Sequence, residues 1–499
     1  MKRMPSISTT LAVWVFLVLG IVLRLWHYLD ARSLFIDEAN LALNVSELPY
    51  EDFFRPLLYD QYAPPLFMVL SKVAVQLMGN HEWALRLLPL IGGGLLLFAF
   101  CHLNKKLKLT PAIQWFPIAM LALSPFLLRF ATELKQYSTD AALALGFILL
   151  ALQLPPERMK NRHFWMWATA GGLSVWFSMP AAFVLAGVGA YYFYGFLRQR
   201  NGKGLFCLSL AGAVWMLSFS ALYITVLKAG TEQEVLVNYH AAYFFPVQLL
   251  KAAAWQQLGG IFYGLLSPVL GFTVAGLIIG ISLLLWGSYR LFQQGPGLFI
   301  LIAVPILACF AASAFQLFSL IPRVSLFLMP LFLLLAAYGA SEAWKSSGFY
   351  VRMALLALLI LEAAPFVNSL NRLGNSTEIE NLKAVLAGIK AKDKAGPAYI
   401  DNMAVPAYRY YSEWHSQKQL YRLPGEVLLS WDSNLEEILE GQRQADGGFW
   451  LVFSQLISDG ARSRKDEKRA VAEKLAREKM RVEKIGAAGY WYGYFGMKE

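Results

Sequence analysis

Residues 64–79, "PPLFMVLSKVAVQLMG", are apolar enough to enter a membrane but short for crossing one. A spanning helix needs ~20 apolar residues, and this run is interrupted by Lys72. Its reading sets the side of every later loop. Counted as a span, it moves the basic stretch "NKKLKLT" (104–110) to the outside and reverses the charge bias downstream. Read as an interfacial helix on the outer leaflet, it leaves that bias in order.

Working outward from it, apolar runs predict spans over 11–29, 84–103, 111–128, 137–153, 164–179, 181–197, 205–227, 265–289, 297–318, 324–340 and 353–371. The connections 104–110, 155–163, 198–204, 290–296 and 341–352 are basic and alternate along the chain. Basic loops stay in the cytoplasm, so about 11 helices with a cytoplasmic N-terminus leave the C-terminal region outside. The outer side also receives long loops at 30–83 and 228–264, with Glu232, Glu234, His240 and Trp255 in the second, a candidate cover for a site. The first run follows Lys2 and Arg3 but lacks a small-residue cleavage site, so it reads as a retained helix.

Composition agrees with a multi-pass membrane protein: 57% of the residues are hydrophobic and 15% charged, well outside soluble usage. The net charge of +11 resides mostly among the spans, because residues 372–499 are nearly balanced. That distribution signals topology and argues against a nucleic-acid partner. Cys101, Cys207 and Cys309 lie inside apolar runs without metal or disulfide spacing.

After Asn371 the pattern changes. "STEIENLKAVLAGIKAK" reads as a capped amphipathic helix, "PAYIDN" and "FWLVFS" as short buried strands, and "KDEKRAVAEKLAREKM" as a solvated helix. The fold class is therefore mainly α, a polytopic helical bundle with outer juxtamembrane helices (1–372), followed by a small outer α/β domain (373–499). In "AVPAYRYY" (404–411) the tyrosines read as core rather than as an acceptor-binding patch.

Charged residues at the outer helix ends are the candidate site. Asp37 and Glu38, in "SLFIDEANLAL", follow the first span, and Asp140 opens the fourth. One carboxylate at a helix mouth is ordinary; several on one face are less so. Asp140 would sit within apolar surroundings, where an insertion cost of ~2.5–3.5 kcal/mol demands a cavity or partner. Arg129, Lys135, Lys228, Lys251 and Arg323 lie near outer ends, where topology does not need positive charge. Snorkelling accounts for Lys228 and Lys251. Arg323, beside Pro322, could grip a phosphate with its planar fork. Carboxylates beside phosphate-gripping cations suit group transfer from a lipid phosphate ester to a hydroxyl. A hard divalent ion between Asp37, Glu38 and Asp140 is also chemically possible.

"LFIDEANLAL", "LLYDQYAPPLFMVLSKVAVQLMGNHEWALRLLPLIGG", "SPFLLRFATELKQYSTDAALAL" and "IPRVSLFLMPLFLLLAAYG" together resemble bacterial GT-C glycosyltransferases of the family 39-like group. These are related to protein O-mannosyltransferases and to the aminoarabinose transferase of lipid A. The resemblance covers most of 1–372. It implies a GT-C fold in the bacterial inner membrane, a sugar donor on a polyprenyl phosphate, a periplasmic site and inversion at the anomeric carbon. The acceptor would be a hydroxyl of a lipid, a glycan or a protein. By the same resemblance Asp37 is the base, Glu38 accompanies it, Asp140 is the second acid and Arg323 meets the lipid phosphate. Pro64 and Pro65 match the first-loop proline pair, and Arg86 a helix-packing arginine.

One departure stands out. The acid and lysine that precede the proline pair in aminoarabinose transferases are replaced by Tyr62 and Ala63, after Asp60 and Gln61. Lys135 or Arg129 would then take over the phosphate, with Tyr137 and Gln61 as further donor contacts. A transporter or flippase, with its acids as relay sites, and a glycan ligase using the same site are the competing readings.

Overall fold

The structure is a computed structural model that describes residues 6–228, 240–346, 367, 381–392, 396–425, 427–431, 448–453, 480–486 and 492–498. Helix α1 (Ser6–Leu29) leads through a short non-helical stretch to α2 (Ile36–Glu47). Next come α3 (Pro65–Met78), α4 (Glu82–Lys106), α5 (Trp115–Leu123) and α6 (Pro125–Phe130). They are followed by α7 (Tyr137–Gln153), α8 (Asn161–Phe177), α9 (Ala181–Arg198) and α10 (Gly202–Leu222), which runs on as a π turn to Leu227. The apolar part closes with α11 (Ala252–Leu270), α12 (Val274–Gln294), α13 (Pro296–Ala314) and α14 (Met329–Ser346). The C-terminal region holds α15 (Leu382–Ala391), β1 (Ala398–Asp401), α16 (Val405–Arg409), β2 (Val427–Trp431), β3 (Phe449–Phe453), β4 (Met480–Gly486) and β5 (Tyr492–Lys498).

The chain divides into two compact units, one of residues 1–29, 50–70 and 86–373, the other of 30–49, 71–85 and 374–499. Among the described residues, 7 helical segments are long and apolar enough to cross a membrane: α1, α4, α9, α10 with its π turn, α12, α13 and the segment 326–345. That last segment is the centre of the bundle, almost wholly buried, whereas α1 and α10 bury few of their apolar side chains. Exposed apolar faces of this kind suit a lipid solvent. Small residues let the central helices touch: a Cβ on Gly287 would collide with the Leu335 carbonyl, so α12 and α14 meet backbone to backbone.

Polar ties join the ends of helices. Ser341 Oγ accepts from Thr110 N at 2.7 Å, Gln199 donates to Glu157 at 2.9 Å, and Arg290 lies 3.2 Å from Glu342. Each tie links two of the basic connections that the sequence assigns to one side.

Two expected spans are corrected. The run 111–128 is split: α5 stops at Leu123, Ser124 accepts from Leu127 N at 3.4 Å, and Pro125 starts α6. The carbonyls at this break are taken by Arg24 of α1, which is buried and donates to Ala122 O at 3.0 Å and Leu121 O at 3.4 Å. The run 265–289 is not one span either, because α11 ends at Leu270 and α12 begins at Val274. At Gly271 the chain passes so close to Gly276 that a Cβ would collide with its carbonyl carbon, and Thr273 then caps α12. Thus 252–264, expected within an outer loop, is helical, Trp255 included. Most of 353–371 lies outside the described residues, as do Glu232 and Glu234.

The opening stretch forms α3, 14 residues long. At ~1.5 Å per residue it reaches about 21 Å, short of the ~30 Å hydrocarbon core. In the second unit, Lys72 Nζ of this helix donates to Val45 O at 2.9 Å and Leu48 O at 2.6 Å, closing the last turn of α2.

The second unit also contains a five-stranded sheet of order β2-β1-β3-β5-β4. β1 runs parallel to β2 and β3, with Ile400 opposite Leu429 and Val452, while β5 is antiparallel to both β3 and β4. Strands β1 and β3 lie where "PAYIDN" and "FWLVFS" predict them, and they are almost entirely buried, as central parallel strands are. α15 buries Leu382, Val385, Leu386 and Ile389, the helical stripe expected of an amphipathic segment.

Candidate functional site

In the second unit, Asp37 and Glu38 occupy the first turn of α2, where a carboxylate is favoured by the helix dipole. They have different surroundings. Asp37 is half-buried, whereas Glu38 is fully buried, accepts from Phe35 N at 3.3 Å and lies 3.7 Å from the buried Arg32. Glu38 is thus engaged in closing the start of its own helix.

The segment leading into α2 is held by residues about 350 and 377 positions away. Lys383 N donates to Ser33 Oγ at 3.2 Å, its ammonium to Ala31 O, and Leu34 N to the Tyr411 hydroxyl at 2.9 Å. Tyr411 in turn donates to Glu82 Oε1 at 3.0 Å; Lys383 reaches the same oxygen at 2.6 Å, and His415 lies 3.2 Å from Glu82 Oε2. The other end of α2 is tied by Arg409 to Glu47 at 3.0 Å. Tyr408, Tyr410 and Tyr411 are buried, as the sequence reading of 404–411 expects. That reading missed Tyr411's hydroxyl contacts and did not nominate Glu82, Lys383 or His415. The only sequence hint was an acid, Glu82, just before an apolar run.

In the first unit, Asp140 sits in the opening turn of α7, 3% exposed. The Ser178 hydroxyl bonds its carboxylate, and its Oδ1 has no hydrogen-bond partner among the described residues. Because a buried unsatisfied carboxylate oxygen is costly, the atom is suited to a ligand's donor. The backbone before α7 is folded back by Ser138 donating to Phe130 O at 2.7 Å and Thr139 to Gln136 O at 2.6 Å.

Two of the nominated donor contacts meet: the buried Lys135 donates from Nζ to Gln61 Oε1 at 2.8 Å. Arg129 instead pairs with the buried Glu133 at 3.0 Å, and Tyr137 packs edge-on against Phe130 at 5.3 Å between ring centres. Arg323 is half-buried in the turn before Leu326. It stands close enough to His240 that, after burial, its charge is the second cause holding the imidazole below its usual pKa. Among the described residues, no three of His, Cys, Asp and Glu gather closely enough to hold a metal ion.

An apolar cleft of about 400 Å³ lies alongside Asp140's helix, lined by Leu66, Val69 and Leu70 of α3, Leu143 and Phe147 of α7, and Leu173, Ser174 and Phe177 of α8 among others. Leu143 and Phe147 are three and seven residues after Asp140, hence on one helix face, and Phe177 directly precedes Asp140's partner Ser178. The helix that opens with this buried acid therefore also lines a cleft of apolar character.

The chain is similar in fold to ArnT. The crystal structure of ArnT from Cupriavidus metallidurans in the apo state matches with a TM-score of 0.53 and 16% identity, covering 98% of each chain. The same protein bound to undecaprenyl phosphate matches at 0.52 and 14%, covering 97% of each chain. No family model and no curated protein sequence matches. Each match extends over nearly all of both chains.

Proposed function

We propose that this chain is an inverting membrane glycosyltransferase that moves a sugar from a polyprenyl phosphate to an acceptor hydroxyl at the periplasmic face of the bacterial inner membrane. The observation that carries this reading is fold similarity over 97% of both chains to an enzyme crystallised with undecaprenyl phosphate. The apolar cleft beside Asp140 supports it, having the character a polyprenyl chain requires. The N-terminus is cytoplasmic and residues 373–499 are periplasmic in this proposal, in keeping with the basic connections.

Asp37 takes the acceptor's hydroxyl proton as that oxygen bonds to the anomeric carbon. The bond from that carbon to the phosphate oxygen breaks on the opposite face, which inverts the configuration. Its electron pair leaves with the polyprenyl phosphate, and Lys135 and Arg323 neutralise the added charge. Gln61 holds Lys135 in place, Asp140 accepts a hydrogen bond from the bound donor, and Arg129 and Tyr137 line the donor's surroundings. Glu38 supports Asp37 by closing the helix that carries it.

The test uses full-length protein in detergent with a radiolabelled pool of polyprenyl-phosphate sugars and a membrane lipid and glycan fraction as acceptor. Label transfer by the wild type that falls by about 10²–10⁴ in Asp37→Asn is the expected result for a general base. Equal transfer by both removes Asp37 from that role. Absence of transfer with every donor in the pool points to lipid transport instead.

A further inference from the structure

Asp37 can act as a base only if α2 is held at one position, and within the second unit residues after 380 supply contacts that hold its entry. Three groups of the segment 31–34 are occupied: the carbonyl of Ala31 and the hydroxyl of Ser33 by Lys383, and the amide of Leu34 by Tyr411. This segment has little regular structure of its own, and Ala31 has φ 45°, a conformation a non-glycine residue keeps only when its surroundings impose it. Glu82 gathers the clasp, accepting from Lys383 and Tyr411 on one oxygen and meeting His415 on the other. Glu82, Tyr411, His415, Ser33 and Leu34 are all buried. A buried network with its members satisfied is rigid and is costly to break.

We infer that Tyr411 and Lys383, gathered by Glu82, are positioning residues for Asp37, so that the C-terminal region sets the aim of the base through the backbone of residues 31–34. This rests on the reading of Asp37 given above. Tyr411 has two roles that can be separated. Its ring packs against Tyr410, His415 and Tyr421 at 5.2–5.5 Å between centres, and its hydroxyl alone joins Leu34 to Glu82. Tyr411→Phe therefore keeps the packing and removes the tie.

The experiment measures full-length protein in nanodiscs in two ways. Hydrogen exchange by mass spectrometry follows peptides spanning 31–36, with 449–453 as an internal control. Label transfer from the polyprenyl-phosphate sugar pool is followed at saturating and at limiting donor. In Tyr411→Phe and Lys383→Met, exchange at 31–36 is expected to rise at least tenfold while the control strand is unchanged. Turnover at saturating donor is expected to drop by up to about 100-fold, the loss associated with roughly 1 Å of misplacement, with donor KM unmoved. Lys383→Arg, which keeps a charged donor, should recover part of the turnover.

Unchanged exchange at 31–36 overturns the clasp whatever the activity. Faster exchange with wild-type turnover overturns the positioning role, and so does a loss confined to donor KM. If Asp37→Asn keeps full activity, the reading of the base fails by itself, and the exchange measurement still decides the clasp.

Discussion

The lysine that interrupts the opening stretch gives a quantitative test of how α2 is held. Lys72→Met keeps the apolar stem of the side chain and removes an ammonium that donates to Val45 O at 2.9 Å and to Leu48 O at 2.6 Å. Hydrogen bonds from a charged group contribute ~1.5–3 kcal/mol each, so the pair amounts to about 3–6 kcal/mol before costs. Burial lowers the pKa of Lys72, the mark of a desolvation cost that offsets part of this gain. A net ~2 kcal/mol remains, which at ~1.4 kcal/mol per decade is about a 30-fold increase in the opening of the last turn of α2. That turn is closed by Leu48 N donating to Asn44 O at 3.1 Å, so its amide reports the change directly. Hydrogen exchange of peptide 44–49 in full-length protein should accelerate by that factor. The central strand 449–453 should not respond. Acceleration below about threefold would show that water replaces Lys72 at these carbonyls without loss, and the argument for a clamped α2 would fail at this end.

Two further outcomes follow from the first unit. Leu143→Trp fills the cleft beside Asp140 and should raise the KM for a long-chain polyprenyl-phosphate sugar at least tenfold while leaving a ten-carbon analogue almost unaffected; equal effects on both donors would remove the cleft from donor binding. Burial first and Arg323 second depress the pKa of His240, so Arg323→Gln should move its titration upward yet leave it below the solution value of about 6.5, as read by NMR of labelled histidine in nanodiscs. The sign for stability follows: a released His240 binds more protons than the buried one. The packing around it therefore gains stability as pH rises from the depressed pKa to about 6.5 and loses it on acidification. No movement in Arg323→Gln, or a full return to 6.5, would contradict the ordering of the two causes.

Hydropathy made the helical architecture legible, and the donor contacts nominated from the outer-end charges and the family resemblance include a pair, Lys135 and Gln61, that the structure brings within 2.8 Å. Hydropathy did not reveal the breaks at Ser124 and Gly271. Both lie inside continuous apolar runs, and a helix can stop in such a run without any change in polarity when a buried arginine takes its carbonyls or two backbones cross too closely for a side chain. The clasp was hidden for another reason. Glu82 and its partners Lys383, Tyr411 and His415 are separated by 301, 329 and 333 positions, and each alone reads as an ordinary surface charge, core aromatic or loop histidine.

The adjacent acids Asp37 and Glu38 show most plainly what the fold adds to the sequence. Successive residues on a helix point about 100° apart, so two neighbours in one turn cannot share one environment. Glu38 is turned inward, where Arg32 and the amide of Phe35 satisfy it, and a buried carboxylate tied in this way is poorly suited to exchange a proton with a substrate. Asp37 keeps the accessible side of the same turn. The two acids of one turn therefore differ in surroundings: Glu38 fixes the start of the helix, and Asp37 stands half-buried beside it. Exchanging them, Asp37→Glu with Glu38→Asp, should fail on both counts: the shorter side chain at 38 cannot reach the cap, and the longer one at 37 carries its oxygens past the position that the clasp maintains.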